Sequence, residues 1–143
     1  MDELFSILLV EDDEAHALFI ERGLRKAGLA NPIVHASDGE EALAMLMGPR
    51  ALPVTVGLVL LDIRLPKIDG PDVLKKIRSS ERFSKLPVVM LSTSNERKDI
   101  QGCLELGANS YVTKPIDSAE FLEHVRGIGV YWTKVDRLTK SRG

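Results

Sequence analysis

The sequence predicts an α/β fold in which five parallel strands form one sheet with helices on both faces. Short apolar segments alternate with segments of helical period along the 143 residues, and this alternation is typical of parallel sheets. Several of the apolar segments are almost continuous in hydrophobic side chains, as expected for strands that are covered on both sides. For five such units a common strand order is 2-1-3-4-5.

The first strand–helix unit is predicted over residues 5–10 and 14–27. The first range is a short apolar run, whereas apolar side chains in the second return every three or four positions. Gly28 then ends the helix, because glycine readily adopts the left-handed backbone found after helix termini. We expect Asp13 to be the N-cap of this first helix, because an aspartate side chain can accept hydrogen bonds from the first N–H groups of a helix.

The second unit begins with a strand over residues 32–36, whose proline favours a position at the edge of the sheet. Asp38 and Glu41 have the spacing of a capping box and open a helix that runs through Met47. Residues 48–53 contain two prolines and one glycine, so they form a loop.

The remaining units follow the same pattern. Strands are predicted over residues 57–62, 87–92 and 110–113, where apolar or β-branched side chains are continuous. The third, fourth and fifth helices are marked by apolar side chains at helical spacing, namely Val73, Leu74 and Ile77, then Ile100, Cys103 and Leu104 before Gly107, and finally Phe121, Leu122, Val125 and Ile128. The chain therefore reads as one domain with a core over about residues 5–128, followed by a helical extension and tail over 129–143.

The composition excludes several classes of protein. With 44% hydrophobic residues the chain is not intrinsically disordered, and a net charge of −2 offers no basic excess for direct binding of nucleic acid. A single cysteine excludes an internal disulfide framework. No apolar run is long enough for a membrane span, and the N-terminus lacks the basic residues of a signal peptide. We therefore expect a cytoplasmic protein.

Polar side chains follow four of the predicted strands. In the proposed order these four strands are neighbours, and the carboxyl ends of parallel strands meet at one edge of the sheet, where such folds bind ligands. Packed carboxylates repel each other unless a cation lies between them, and carboxylate oxygens suit Mg²⁺. Asp62 is then a plausible nucleophile for a phosphoryl group, since carboxylates form aspartyl phosphates. The residues at the strand ends are Glu11, Asp12 and Asp13, then Asp62, then Ser92 and Thr93, and finally Lys114 and Pro115.

At these residues the sequence resembles the receiver domain of two-component response regulators. The resemblance covers about residues 5–128, and its motifs are specific in combination. It implies a protein that takes a phosphoryl group from a histidine kinase or a phosphotransfer protein and signals by a conformational change. Such a protein promotes its own phosphorylation and dephosphorylation but is mainly a switch rather than an enzyme with turnover. The motifs are ILLVEDD at 7–13, LLDIRLPKIDG at 60–70, LPVVMLS at 86–92 and YVTKP at 111–115.

The resemblance also implies a role for each residue of the site. Asp62 is the phosphoacceptor, and Mg²⁺ or Mn²⁺ is held by Asp62, by Asp12 directly and by Glu11 through water. The backbone carbonyl of Arg64 supplies a further ligand. The residues implied in phosphate binding are Ser92, Thr93 and Lys114, those implied in switching are Ser92 and Tyr111, and Pro115 is expected to follow a cis peptide bond.

A narrower resemblance points to stand-alone regulators that partner phytochrome-type histidine kinases. It rests on the proline-containing loop before the third strand, on residues 65–70 and on residues 128–132. About 15 residues follow the receiver match, too few for a DNA-binding domain. Output is therefore expected from contacts of the receiver itself.

An apolar stripe continues beyond the predicted last helix. Large exposed apolar patches usually mark interfaces, and Tyr and Trp are frequent anchors there, so we expect a homodimer. The alternative is that the extension folds back on its own sheet. The stripe consists of Tyr131, Trp132, Val135 and Leu138.

Two other functions stay open at this point. A receiver-like scaffold could retain the fold without accepting phosphate, although every key residue is present. A flavodoxin-like cofactor binder would share the architecture, but it needs a phosphate-cradling loop after the first strand. This chain has Glu11, Asp12 and Asp13 there, which repel phosphate in the absence of a metal.

Overall fold

The computed structural model describes residues 5–26, 28–48, 55–92 and 96–113, together with Glu123 and Gly127. Within these ranges the chain alternates between strands and helices, and the five strands form one parallel sheet in the order β2-β1-β3-β4-β5. The predicted fold class and strand order are therefore confirmed. The elements are β1 (Ser6–Val10), α1 (Glu14–Lys26), β2 (Ile33–Ala36), α2 (Gly39–Met47), β3 (Val56–Asp62), α3 (Gly70–Ser79), β4 (Val88–Ser92), α4 (Arg97–Glu105) and β5 (Ser110–Thr113).

Alternating side chains of the sheet contribute to two separate hydrophobic cores. Leu8 and Val10 of β1 pack with side chains of α2 and α3, whereas Ile7 and Leu9 pack on the opposite face with side chains of α1. All five residues of β1 are buried, as the nearly continuous apolar run predicted. The sheet therefore has helices on both faces.

The helix boundaries have local causes. The Oδ1 atom of Asp13 accepts hydrogen bonds from the backbone N–H groups of Ala15 and His16 at 2.9 and 3.1 Å, which confirms Asp13 as the α1 cap. Oδ1 of Asp38 accepts from the N–H of Glu41 at 2.7 Å and caps α2. The fourth helix ends at Glu105, two residues before the glycine that we expected to end it.

The C-terminal part of the chain lies mostly outside the described residues. In the predicted fifth helix the structure describes Glu123 and Gly127, and both have helical backbone. The extension over 129–143 and its apolar stripe are not among the described residues. No helix in the described part of the chain has the length and hydrophobicity that a membrane crossing requires.

Candidate functional site

Three carboxylates converge where β1 and β3 end. Glu11 and Asp12 follow directly after β1, and Asp62 is the last residue of the adjacent β3. One carboxylate oxygen from each of the three residues lies within 4.8 Å of the others. The sequence predicted this meeting, because parallel neighbours end at the same edge of the sheet.

The three carboxylates differ sharply in their exposure to solvent. The exposed fraction is 1% for Glu11 and 8% for Asp62, whereas Asp12 is exposed. The cluster is therefore covered on its inner side and open to water beside Asp12. Three negative charges at this separation repel each other, and hard oxygen ligands beside open solvent suit a divalent cation that keeps part of its water shell. The donor set thus fits Mg²⁺ or Mn²⁺.

Glu11 is held in place by two neighbouring elements. Its backbone N–H donates to the carbonyl of Ala36 in β2 at 3.1 Å, and the Nε2 atom of His35 lies 2.6 Å from its carbonyl oxygen. On the other side, its Oε1 atom accepts from the N–H of Asp13 at 3.3 Å and lies 3.8 Å from Nδ1 of His16. The backbone of Glu11 is therefore held by β2, whereas its buried carboxylate is oriented by contacts from the N-terminal end of α1.

These two histidines are residues that the sequence did not assign to the site. Each stands alone in its element with no second histidine at ligand spacing, so the sequence favoured surface or boundary positions. The pairing of β1 with β2 explains the contact of His35. His35 pairs with Leu9, so it lies beside the part of β1 that ends just before Glu11. That register follows from tertiary pairing and is not visible in residue spacing.

Asp62 lies at the start of a loop that turns back sharply. The N–H of Arg64 points to Oδ1 of Asp62 at 3.4 Å, and the N–H of Ile63 donates to the carbonyl of Leu91 in β4 at 3.1 Å. A Cβ atom added to Gly70 would lie 2.3 Å from the carbonyl oxygen of Asp62. Glycine is required there because the start of α3 passes directly over the backbone of the acidic residue.

The predicted switch residues Ser92 and Tyr111 lie on the neighbouring strands. Ser92 ends β4 one residue beyond the position that pairs with Asp62, and its exposed fraction is 3%. Tyr111 pairs with Met90 in the register of β5 and is half-buried against the core that includes α3. The structure thus places a hydroxyl at the same edge of the sheet as the carboxylates.

A cleft of about 230 Å³ lies between α4, the start of α3, the last residue of β4 and the first residues after β3. Cys103 lies on its α4 side, is 4% exposed and packs into a hydrophobic core, as expected for a position on the apolar stripe of its helix. Burial raises the pKa of the Cys103 thiol, and the negative charge of Asp99 raises it further. The remaining lining residues are Ile63, Arg64, Pro71, Ser92, Lys98, Asp99, Gly102 and Leu106.

Several predicted site residues fall outside the part of the chain that the structure describes. They include Thr93, Lys114 and Pro115, so the expected cis peptide bond before Pro115 is also outside it. Arg64 is described, and its side chain is exposed to solvent two residues after Asp62. Among the described residues, the structure brings the three acidic side chains of the predicted site together and places Ser92 at the same edge of the sheet.

Comparison with known proteins agrees with this geometry. The sequence profile of the response regulator receiver domain matches residues 7–126. This chain belongs to that family. The family resemblance that the strand-end motifs predicted is confirmed, and with it the assignment of the receiver domain to two-component signalling.

Two curated relatives match this receiver domain over most of their own length. The probable methanogenesis regulatory protein FilR2 of Methanothrix harundinacea is 41% identical over 135 residues, which cover 92% of this chain and 85% of FilR2. Response regulator Rcp1 of a Synechocystis strain is 34% identical over 128 residues, which cover 88% of this chain and 87% of Rcp1.

Solved structures give the same assignment. The Mn²⁺-bound form of Rcp1 has a TM-score of 0.82 at 32% identity and covers 91% of this chain and 95% of its own. The phosphorylated cyanobacterial phytochrome response regulator RcpA has a TM-score of 0.84 at 36% identity and covers 93% of this chain and 96% of its own. The receiver fold therefore occurs in relatives that carry a divalent metal or a phosphoryl group.

Proposed function

We propose that this receiver domain accepts a phosphoryl group on Asp62 from a histidine kinase or a phosphotransfer protein and signals by the resulting conformational change. The observation that carries the proposal is the cluster of Glu11, Asp12 and Asp62 carboxylate oxygens within 4.8 Å of one another at the ends of β1 and β3. Asp62 is the acidic residue that ends the central strand β3, between β1 and β4.

In the proposed reaction a carboxylate oxygen of Asp62 attacks the phosphorus atom of a phosphohistidine on the donor. An O–P bond forms while the N–P bond breaks, and the electron pair of that bond returns to the imidazole nitrogen. The product is an aspartyl phosphate on this chain. The contacts that fix the backbone on both sides of Asp62 orient the attacking oxygen, which is the main contribution of the protein in phosphoryl transfer.

Glu11, Asp12, Asp62 and the backbone carbonyl of Arg64 are the groups that would hold Mg²⁺ or Mn²⁺. When bound, the ion offsets the negative charge of the carboxylates and of the incoming phosphoryl group. The buried Glu11 is fixed by its contacts with α1 and β2, whereas exposed Asp12 leaves one side of the site open to water and to the donor.

The family resemblance assigns phosphate binding and the conformational switch to four further residues. Ser92 and Thr93 bind the phosphoryl oxygens together with Lys114, whose ammonium group acts as a point charge. Movement of Ser92 toward the phosphoryl group vacates space into which Tyr111 turns. The burial of Ser92 at the end of β4 and the half-buried position of Tyr111 on β5 support this part of the proposal.

We further propose a phytochrome-type histidine kinase as the phosphoryl donor, supported by the similarity to the phytochrome response regulator RcpA. Output would come from contacts of the receiver itself in the cytoplasm, without direct binding of nucleic acid or membrane. Homodimer formation through the stripe of Tyr131, Trp132, Val135 and Leu138 remains a prediction from the sequence.

The test is incubation with Mg²⁺ and acetyl phosphate or phosphoramidate, followed by intact-mass measurement. Wild type is expected to gain the mass of one phosphoryl group, which hydroxylamine should remove because it cleaves acyl phosphates. Asp62→Asn should gain none, because the amide has a similar shape but is a far weaker nucleophile. Asp72→Asn, a change at an exposed aspartate of α3, is the matched control and should behave as wild type.

Equal incorporation in wild type and Asp62→Asn would contradict Asp62 as acceptor. A wild type that gains no phosphoryl group from these donors or from a phosphorylated kinase would favour the scaffold function instead. A flavin absorbance spectrum in the purified protein would favour the cofactor binder.

A further inference from the structure

The loop that follows Asp62 is closed at its base by the protein's own backbone. This β3–α3 loop comprises residues 63–69. The N–H of Gly70 donates to the carbonyl of Ile63 at 2.8 Å, and the N–H of Leu65 points to Oδ1 of Asp69 at 3.3 Å. Because the loop begins at the residue after Asp62, its shape determines the position of the Arg64 carbonyl.

The tip of the β3–α3 loop has an unfavourable backbone conformation. Lys67 has a φ of 68° and is the one non-glycine residue with positive φ among those described in the structure. The N–H of Ile68 donates to the carbonyl of Pro66 at 2.8 Å and closes a three-residue turn around Lys67. Residues other than glycine rarely adopt this backbone conformation, and it persists only where the surrounding structure holds it.

The N-terminus of α2 supplies the surroundings that hold this turn. The Nζ atom of Lys67 lies 3.5 Å from Oδ2 of Asp38, and the Asp38 side chain is only 16% exposed. The other oxygen of the same carboxylate caps α2 by accepting from the N–H of Glu41. One carboxylate thus fixes the start of α2 and the tip of the β3–α3 loop together.

The backbones of α2 and the β3–α3 loop also approach each other very closely at this point. A Cβ atom added to Gly39 would lie 2.1 Å from the carbonyl oxygen of Ile68 and 2.8 Å from the side chain of Val73. The loop is therefore seated directly on the first residue of α2. Its tip has both a backbone contact and an ion pair to the same helix terminus.

We propose that Asp38 and Lys67 are positioning residues for phosphoryl transfer, and that their ion pair holds the β3–α3 loop against α2 in the shape that places the Arg64 carbonyl beside Asp62. This proposal rests on the proposed function of Asp62. Neither residue belongs to the carboxylate cluster, so both act through the loop. Loss of the ion pair leaves the left-handed turn at Lys67 less well held, and divalent-metal binding weakens.

The test compares variants that remove one charge and keep the helix cap. Asp38→Asn retains a side-chain oxygen for capping, and asparagine caps helices about as well as aspartate. Lys67→Gln removes the other partner of the ion pair. The matched controls are Glu40→Gln in α2 and Lys75→Gln in α3, both of which change an exposed charge near the same elements.

Two measurements separate positioning from a purely structural role. The first is the Mg²⁺ concentration that gives half of the maximal thermal shift without a phosphoryl donor. The second is the Mg²⁺ dependence of the phosphorylation rate with acetyl phosphate. Each single variant should need about two- to fivefold more Mg²⁺ in both measurements, the range that a partly exposed ion pair can supply. The double variant should be no worse than either single variant, because they remove the same interaction.

The proposal would be overturned if Asp38→Asn and Lys67→Gln had the same Mg²⁺ midpoint as the control variants. It would also be overturned if these variants melted at a lower temperature in EDTA but kept the Mg²⁺ midpoint of wild type, because that result indicates a structural role alone. A wild type that neither binds Mg²⁺ nor accepts a phosphoryl group would instead overturn the proposed function, and the positioning role with it.

Discussion

Replacing Asp12 by asparagine is expected to stabilise the metal-free protein. Its carboxylate has oxygens within 4.8 Å of those of both Glu11 and Asp62. Two unit charges at that distance repel by about 1 kcal/mol at the dielectric constant of water and by about 3.5 kcal/mol at an effective value of about 20. Because Asp12 is exposed, the low end applies, and relief of two repulsions should raise the free energy of unfolding by about 1–2 kcal/mol.

Magnesium should reverse this order of stability. A ligand that binds only the folded state stabilises it by about 2.7 kcal/mol when its concentration is 100 times the dissociation constant. Wild type should gain this amount in saturating Mg²⁺, whereas Asp12→Asn lacks the carboxylate that we propose as a direct ligand and should gain much less. The variant is thus expected to be the more stable protein in EDTA and the less stable one in Mg²⁺.

Thermal and urea unfolding in EDTA and in Mg²⁺ measure this reversal. For a domain of this size 1 kcal/mol corresponds to about 4 °C in melting temperature. Glu81→Gln, which changes an exposed carboxylate in the turn after α3 at the other end of the sheet, is the control and should shift neither curve appreciably. An Asp12→Asn variant that is less stable than wild type in EDTA, or that gains as much from Mg²⁺, would refute the reasoning.

Three further predictions follow from packing and from the sequence. Gly102→Ala should raise the free energy of unfolding by up to about 1 kcal/mol, because an added Cβ meets nothing within 4 Å. Gly39→Ala should lower the free energy of unfolding, because its Cβ would collide with a backbone carbonyl. Urea titrations that rank the two variants in the opposite order would contradict this prediction. Iodoacetamide should label Cys103 far more slowly in the native than in the unfolded protein at pH 8. The labelling rate of the native protein should still rise above pH 9, because burial and a nearby carboxylate raise the thiol pKa. Equal labelling rates in the native and unfolded protein would show an accessible thiolate. Sedimentation with and without phosphorylation should show a dimer that a Trp132→Ala, Leu138→Ala double variant weakens, and a wild type that stays monomeric at high micromolar concentration would exclude it.

Much of the site could be predicted because its parts depend on local sequence. An apolar strand followed by a carboxylate is recognisable in residues 6–12 and 56–62 without knowledge of the fold. Alternation of strands and helices then determines that the strands run parallel, and parallel neighbours must end at one edge. Glu11, Asp12, Asp62 and Ser92 could therefore be assigned to one site from the sequence alone.

Tertiary structure decided which groups hold those residues in position. The contact of His35 with the Glu11 carbonyl depends on the register between β1 and β2, which is set by packing of the whole sheet. The positive φ of Lys67 runs against its own backbone preference, and it occurs where Lys67 meets Asp38, the N-cap of α2, and where Gly39 lets the two backbones approach closely. Local sequence encodes the strands and helices and the residues that end them. The burial of the Glu11 and Asp62 carboxylates and the shape of the loop after Asp62 arise only when distant segments pack together.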